Sequence, residues 1–148
     1  MKGGDNVNDI ILAKPVESDG LFDKIEDYFN IKIPNDVKKF LKVNSRGIVK
    51  EEEFKINGKT YMLASFFTVD EKDGYMFFSA RITNDNENLG NDTFIPFADD
   101  EFGNEYGLLY HEGVYEKIVF FNHETHEFSF VCNHFWELIE ALNLWYPL

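Results

Sequence analysis

Apolar residues recur at helical spacing in three stretches of this chain and fall into short extended runs over most of the rest. Leu21, Phe22, Ile25, Tyr28 and Phe29 share one side of a helical wheel, with Asp23, Glu26 and Asp27 facing away. That spacing predicts a first helix from about Ser18 to Phe29. Ile31-Lys32-Ile33 is long enough only for a connector. Pro34-Asn35-Asp36 opens a second helix, because proline suits a first helical turn and Asn and Asp side chains satisfy or complement its free N–H groups. Val37, Phe40 and Leu41 form its inner stripe. It ends at Asn44-Ser45-Arg46-Gly47, with Gly47 suited to a left-handed terminating conformation.

A hairpin follows. Phe54 and Ile56 alternate in one arm, Asn57-Gly58 forms a tight turn, and Tyr61 to Phe67 forms the other arm. Tyr75 to Thr83 fits helix or strand, and a helix is preferred. Asn84 to Asp92 reads as a loop by composition. The second half reads as an antiparallel meander of Thr93 to Ala98, Tyr106 to Tyr110, Lys117 to Asn122 and Phe128 to Cys132, divided by acidic or glycine-bearing turns. A last helix spans about His134 to Leu144, with Phe135, Leu138, Ile139 and Leu142 on one face. The order predicts an α+β domain: an antiparallel sheet of about five to six strands, with N-terminal helices and a C-terminal helix packed on it. Residues 1–17 are a mobile arm or a short edge strand, and residues 18–148 form a single domain.

Composition changes this picture little. At 148 residues with 16 Phe, the chain can build one core without staples. Its one cysteine, Cys132, cannot form an internal disulfide, which suits a reducing compartment. No signal-peptide pattern opens the chain, and no run reaches the roughly 20 apolar residues of a membrane span. A cytoplasmic protein is expected.

Charge matters more. The net value is -13, and it is unevenly placed. Residues 1–50 hold 9 bases and 8 acids, whereas residues 51–100 hold 4 and 11 and residues 101–148 hold 1 and 8. Such acidity opposes binding to nucleic-acid phosphates and to anionic membranes, and it favours fast encounter with a basic partner. Solubility alone explains many acidic surfaces.

Candidate chemistry is sparse. His123, His126, Cys132 and His134 are all zinc-ligand types, but their spacing matches no common template, and a turn histidine beside a buried thiol is the simpler reading. Cys132 is expected to point with Phe128 and Phe130 into the core. Gly58-Lys59-Thr60 resembles the end of a phosphate-binding loop, yet Glu53 stands where its first glycine is required. No G-x-S-x-G elbow seats a nucleophilic serine. Asp99-Asp100-Glu101 with Glu105 lacks the alternating spacing of a calcium loop. It reads as a solvated loop or a partner-binding edge, and Glu51-Glu52-Glu53 reads as an extension of that edge or as a hydrated strand entry. Tyr75, Phe77, Phe78 and Trp145-Tyr146 read as core or capping residues. Catalytic, cofactor-binding and metal-binding residues are therefore all expected to be none.

Three segments in order resemble the SUKH superfamily, over about Ser18 to Leu144. Ile33 to Asn44 resembles its helix after a hydrophobic-proline pair. Phe94 to Tyr106 resembles its central strand, acidic loop and Gly-Asn turn. Val119 to Glu124, followed by Phe135, resembles its late strand and closing Phe-rich helix. The chain departs from the pattern at Ile48, where a second glycine is common, and at Leu109, where an Asp is common, so no role of that Asp carries over. The superfamily includes fungal regulators of cell-wall glucan synthesis and bacterial immunity proteins that neutralise toxins. The resemblance implies protein binding with no shared catalytic set. Joined to the charge, it implies an immunity-type protein whose partner is a basic, nucleic-acid-targeting toxin domain, bound through Asp99, Asp100, Glu101 and Glu105. A regulatory or scaffold domain of the same fold is the alternative.

Overall fold

The computed structural model describes residues 7–145. Met1 to Asn6 of the arm, and Tyr146 of the C-terminal aromatic pair, lie outside them. The elements are β1 (Ile10–Ile11), α1 (Gly20–Phe29), α2 (Asn35–Asn44), β2 (Ile48–Val49), β3 (Glu53–Ile56), β4 (Lys59–Met62), β5 (Ser65–Phe66), α3 (Tyr75–Glu87), β6 (Asp92–Asp99), β7 (Glu105–His111), β8 (Val114–Asn122), β9 (Glu127–Cys132) and α4 (Phe135–Ala141). Seven strands form one antiparallel sheet in the order β1-β2-β5-β6-β7-β8-β9, and β3-β4 make a separate hairpin. The expected α+β architecture is present, with more strands than the five to six predicted. The extra ones are two-residue segments, too short to show a period.

Alternation divides the sheet into two faces. Ile95, Tyr106, Leu108 and Ile118 enter the main core beneath α1, α2, α4 and the hairpin. Phe94, Val119 and Phe121 point the other way, where Leu89, Leu109 and Phe128 join them. Leu109, which stands where the resemblance leads one to expect an Asp, is thus an apolar member of the second cluster. The main core is aromatic and closed: Phe135 of α4 packs edge-on to both Phe40 and Phe97, with centroids 5.3 Å apart in each case.

The remaining differences from the sequence reading have local causes. Glu26 does not face away. It is buried, accepts the Ile33 N–H at 2.8 Å and pairs with Lys38 at 3.0 Å, so it ties α1 to α2. Gly47 is not left-handed; Arg46 takes that role with φ 65°. What requires glycine at 47 is space, because a Cβ there would overlap the Ile10 side chain. The arm Tyr61–Phe67 splits between two sheets, since Leu63 turns into the core and donates its N–H to Glu52 O while Ala64 donates to Asp99 O. Cys132 is buried, but Phe130 is exposed and Phe128 belongs to the second face. A bulge between Phe130 and Cys132 shifts the strand's phase.

Tyr75–Thr83 is helical, as preferred, but α3 runs on to Glu87 through residues expected to be loop. Asn84 explains the extension. β5 pairs with β6 only at Asp99 and Ala98, so the rest of that edge lacks a strand neighbour. The Asn84 side chain donates to Phe94 O at 2.7 Å and accepts from Phe94 N at 3.0 Å, standing in for that neighbour.

Candidate protein-binding face

The acidic segment is the tip of the β6–β7 hairpin, where Asp99 and Glu105 form the last cross-strand pair. Asp100 is buried and turned inward. Its carboxylate accepts the N–H groups of Phe102 and Asn104 and the Asn104 side-chain amide, each at 2.9 Å. His123 on β8's end braces the same turn, donating its Nε2–H to Phe102 O at 2.6 Å, while the Asn104 side chain accepts from His123 N. The turn is therefore held from within, and Glu101 and Phe102 are thrust outward, Phe102 being 73% exposed.

Asp99 and Glu105 lie side by side on the second face, towards α3. Asp99 accepts from Ser65 Oγ at 2.6 Å. Glu105 accepts from Ser79 Oγ at 2.7 Å and from Thr83 Oγ1 at 3.2 Å, both on α3. Burial pushes both carboxyls above their ordinary values, and the hydroxyl donors offset only part of it. Glu52, before β3, is also pushed up, by burial first and then by Glu101. The fold thus brings one residue of the Glu51-Glu52-Glu53 run against the acidic turn.

Two clefts flank this ridge. One, of about 270 Å³, is lined by Arg46, Ser65, Phe67, Asp73, Tyr75 and Asp99. The other, of about 320 Å³, lies between α3 and the turn, with Ser79, Ile82, Glu87, Glu105, His123 and His126 on its walls. His126 Nδ1 sits 2.8 Å from Glu87 Oε2.

The sequence reading did not single out α3's part in this face. Phe77 is buried as expected, but Phe78 is 60% exposed, and Tyr75 and Ile82 are nearly half exposed. The buried face of α3 holds Met76, Phe77 and Ala80, and Phe78 lies about 100° round the helix from Phe77 and about 200° from Met76, outside that face. Ser79 and Thr83, which hold Glu105, carried no signal without the fold.

The zinc-type residues are separated. His123 and His126 belong to the second cleft, whereas the Cys132 thiol is sealed in the main core, donates to His134 O at 3.4 Å and is pushed up by burial to about 12. Among the described residues no group of three or more His, Cys, Asp or Glu is placed to hold a metal ion. None of their helices is long and apolar enough to cross a membrane.

No curated protein and no solved structure matches the chain. A family model does match, over residues 17–141, which takes in every element from α1 to α4, including the acidic turn and α3. With that match and this α+β architecture, the chain belongs to the SMI1 / KNR4 family (SUKH-1).

Proposed function

We propose that this protein is an immunity-type binder. In the cytoplasm of the producing cell it meets a basic, nucleic-acid-targeting toxin domain and neutralises it by direct contact, with no chemistry of its own. The observation that carries this reading is the face just described. Glu101 projects from a braced turn, Asp99 and Glu105 stand in adjacent clefts, and Glu52 adjoins them. Asp100 serves that face by shaping the turn that presents Glu101. A toxin that grips phosphates must display lysine and arginine, and an acidic surface is their electrostatic complement. Placing the charge on a preformed turn also lowers the ordering cost of association.

The test is co-production with basic, nucleic-acid-targeting toxin domains, beginning with any encoded beside this gene. The parent chain should restore growth, and Glu101→Lys should protect less while keeping the parent's circular dichroism. No protection by the parent, together with a stable complex with ordinary cellular proteins, would replace the immunity role by a scaffold role.

A further inference from the structure

α3 carries apolar side chains on two of its sides. Met76, Phe77 and Ala80 enter the main core. Tyr75, Phe78 and Ile82, at i, i+3 and i+7, form a second stripe. They are 45%, 60% and 44% exposed, a contiguous apolar row on a chain of net charge -13. The row runs between the two clefts: Tyr75 lines the one holding Asp99, and Ile82 the one holding Glu105. The cation on α3 lies towards α1, since the Arg81 guanidinium rests over the rings of Tyr28 and Phe77 at 5.3 and 5.8 Å. The first cleft holds Asp73 and Asp99 beside Arg46, and the second holds Glu87 and Glu105, so carboxylates outnumber fixed cations in both, and an apolar strip so flanked has a definite complement.

We propose that the Tyr75–Phe78–Ile82 stripe is the docking surface for a basic amphipathic segment of another protein, with apolar side chains seated on Phe78 and Ile82 and lysine or arginine side chains entering the clefts at Asp99 and Glu105. The inference deepens the protein-binding reading above and rests on it. Charge complementarity selects this occupant. A second copy would oppose acid to acid, and an anionic membrane would be repelled for the same reason. Helix-in-groove recognition uses this combination of spaced apolar anchors and flanking charge.

The experiment is an NMR titration of the full chain with a synthetic peptide of leucine and lysine at amphipathic helical spacing, beside its counterpart with glutamate in place of lysine. The lysine peptide should shift the amide signals of Tyr75, Phe78, Ile82 and Glu105, and the glutamate peptide should shift none of them. Phe78→Ala and Ile82→Ala should each weaken binding about tenfold or more. Trp136→Ala, at an exposed site on α4, should leave it unchanged. Lysine-peptide shifts confined to other elements, or parent-like affinity in Phe78→Ala, would overturn the proposal. Toxin protection separates the two readings. If Phe78→Ala protects as well as the parent and the peptide leaves α3 untouched, this surface is wrong and the immunity role stands. If the peptide binds α3 and no toxin domain is neutralised, the surface stands and the immunity role falls.

Discussion

The two faces of the sheet solve opposite problems. Beneath α1, α2 and α4, buried polar groups are paired at Glu26, which has Lys38 and the Ile33 N–H, and at Tyr110, whose hydroxyl donates to Lys32 O at 2.8 Å. On the other face, bordered by the outer stripe of α3, the assignment is reversed. Carboxyls are half buried at Asp99 and Glu105, while Phe78, Ile82 and Phe102 stand in water. The first arrangement gains stability from apolar burial. The second forgoes some of it, which a partner-binding role as proposed would explain.

The contrast is sharpened most by truncating the closed face. Phe135→Ala removes a ring wedged between Phe40 and Phe97 and should cost about 3–5 kcal/mol. Denaturant unfolding gives the number, and a loss below about 1 kcal/mol would mean that α4 does not seal this core.

The second face has its own small core, where Gly107 of β7 lets the Phe94 ring cross the strand. A Cβ there would strike that ring and stand 2.7 Å from the Ile95 carbonyl oxygen, which as backbone yields little. Gly107→Ala should therefore cost about 1–3 kcal/mol by overpacking. Neutral thermal stability in this variant would show that the ring has another place to go.

Beside that cluster the sign should change. Burial raises the Glu105 carboxyl from its ordinary value of 4.5, so the folded chain holds this proton more tightly than the unfolded chain. The stability this contributes is present at acid pH and is lost as pH rises through the raised folded value, leaving a buried charge at neutral pH. Glu105→Gln should raise the unfolding free energy at neutral pH by a small amount, under about 1 kcal/mol, and the gain should shrink on acidification. A variant less stable than the parent at neutral pH would mean that the hydroxyls of Ser79 and Thr83 more than offset the burial.

The closed face was largely legible in the sequence, because periodicity reports burial on one side of an element. Phe22 and Ile25, Phe40 and Leu41, and Phe135 and Leu138 announced three helices and their inner stripes. Periodicity fails where the chain changes sheet or phase. Leu63 and Ala64 carry a strand from the hairpin to the main sheet, and the bulge before Cys132 puts Phe130 outside. It also fails on α3, whose two apolar stripes blur into a weak pattern, and at Asn84, a loop-type residue pairing with a strand edge from inside a helix. For the candidate site, charge alone located Asp99, Asp100, Glu101 and Glu105. It did not tell the turn brace, Asp100, from the projecting Glu101, because that difference lies in three hydrogen bonds.

The central claim is that the α3 and β6–β7 face receives a basic protein. Its most direct measurement is the association rate with the basic toxin domain proposed as its partner, taken across ionic strength for the parent, Glu101→Lys and Phe78→Ala. Steering by the exposed acid should make the parent's rate fall steeply as salt shortens the screening length below about 10 Å. Glu101→Lys should associate several-fold more slowly at low salt and converge on the parent at high salt, whereas Phe78→Ala should chiefly hasten dissociation. Equal association rates for all three chains, with no dependence on salt, would contradict the account and leave the acidity of this face as a solubility feature.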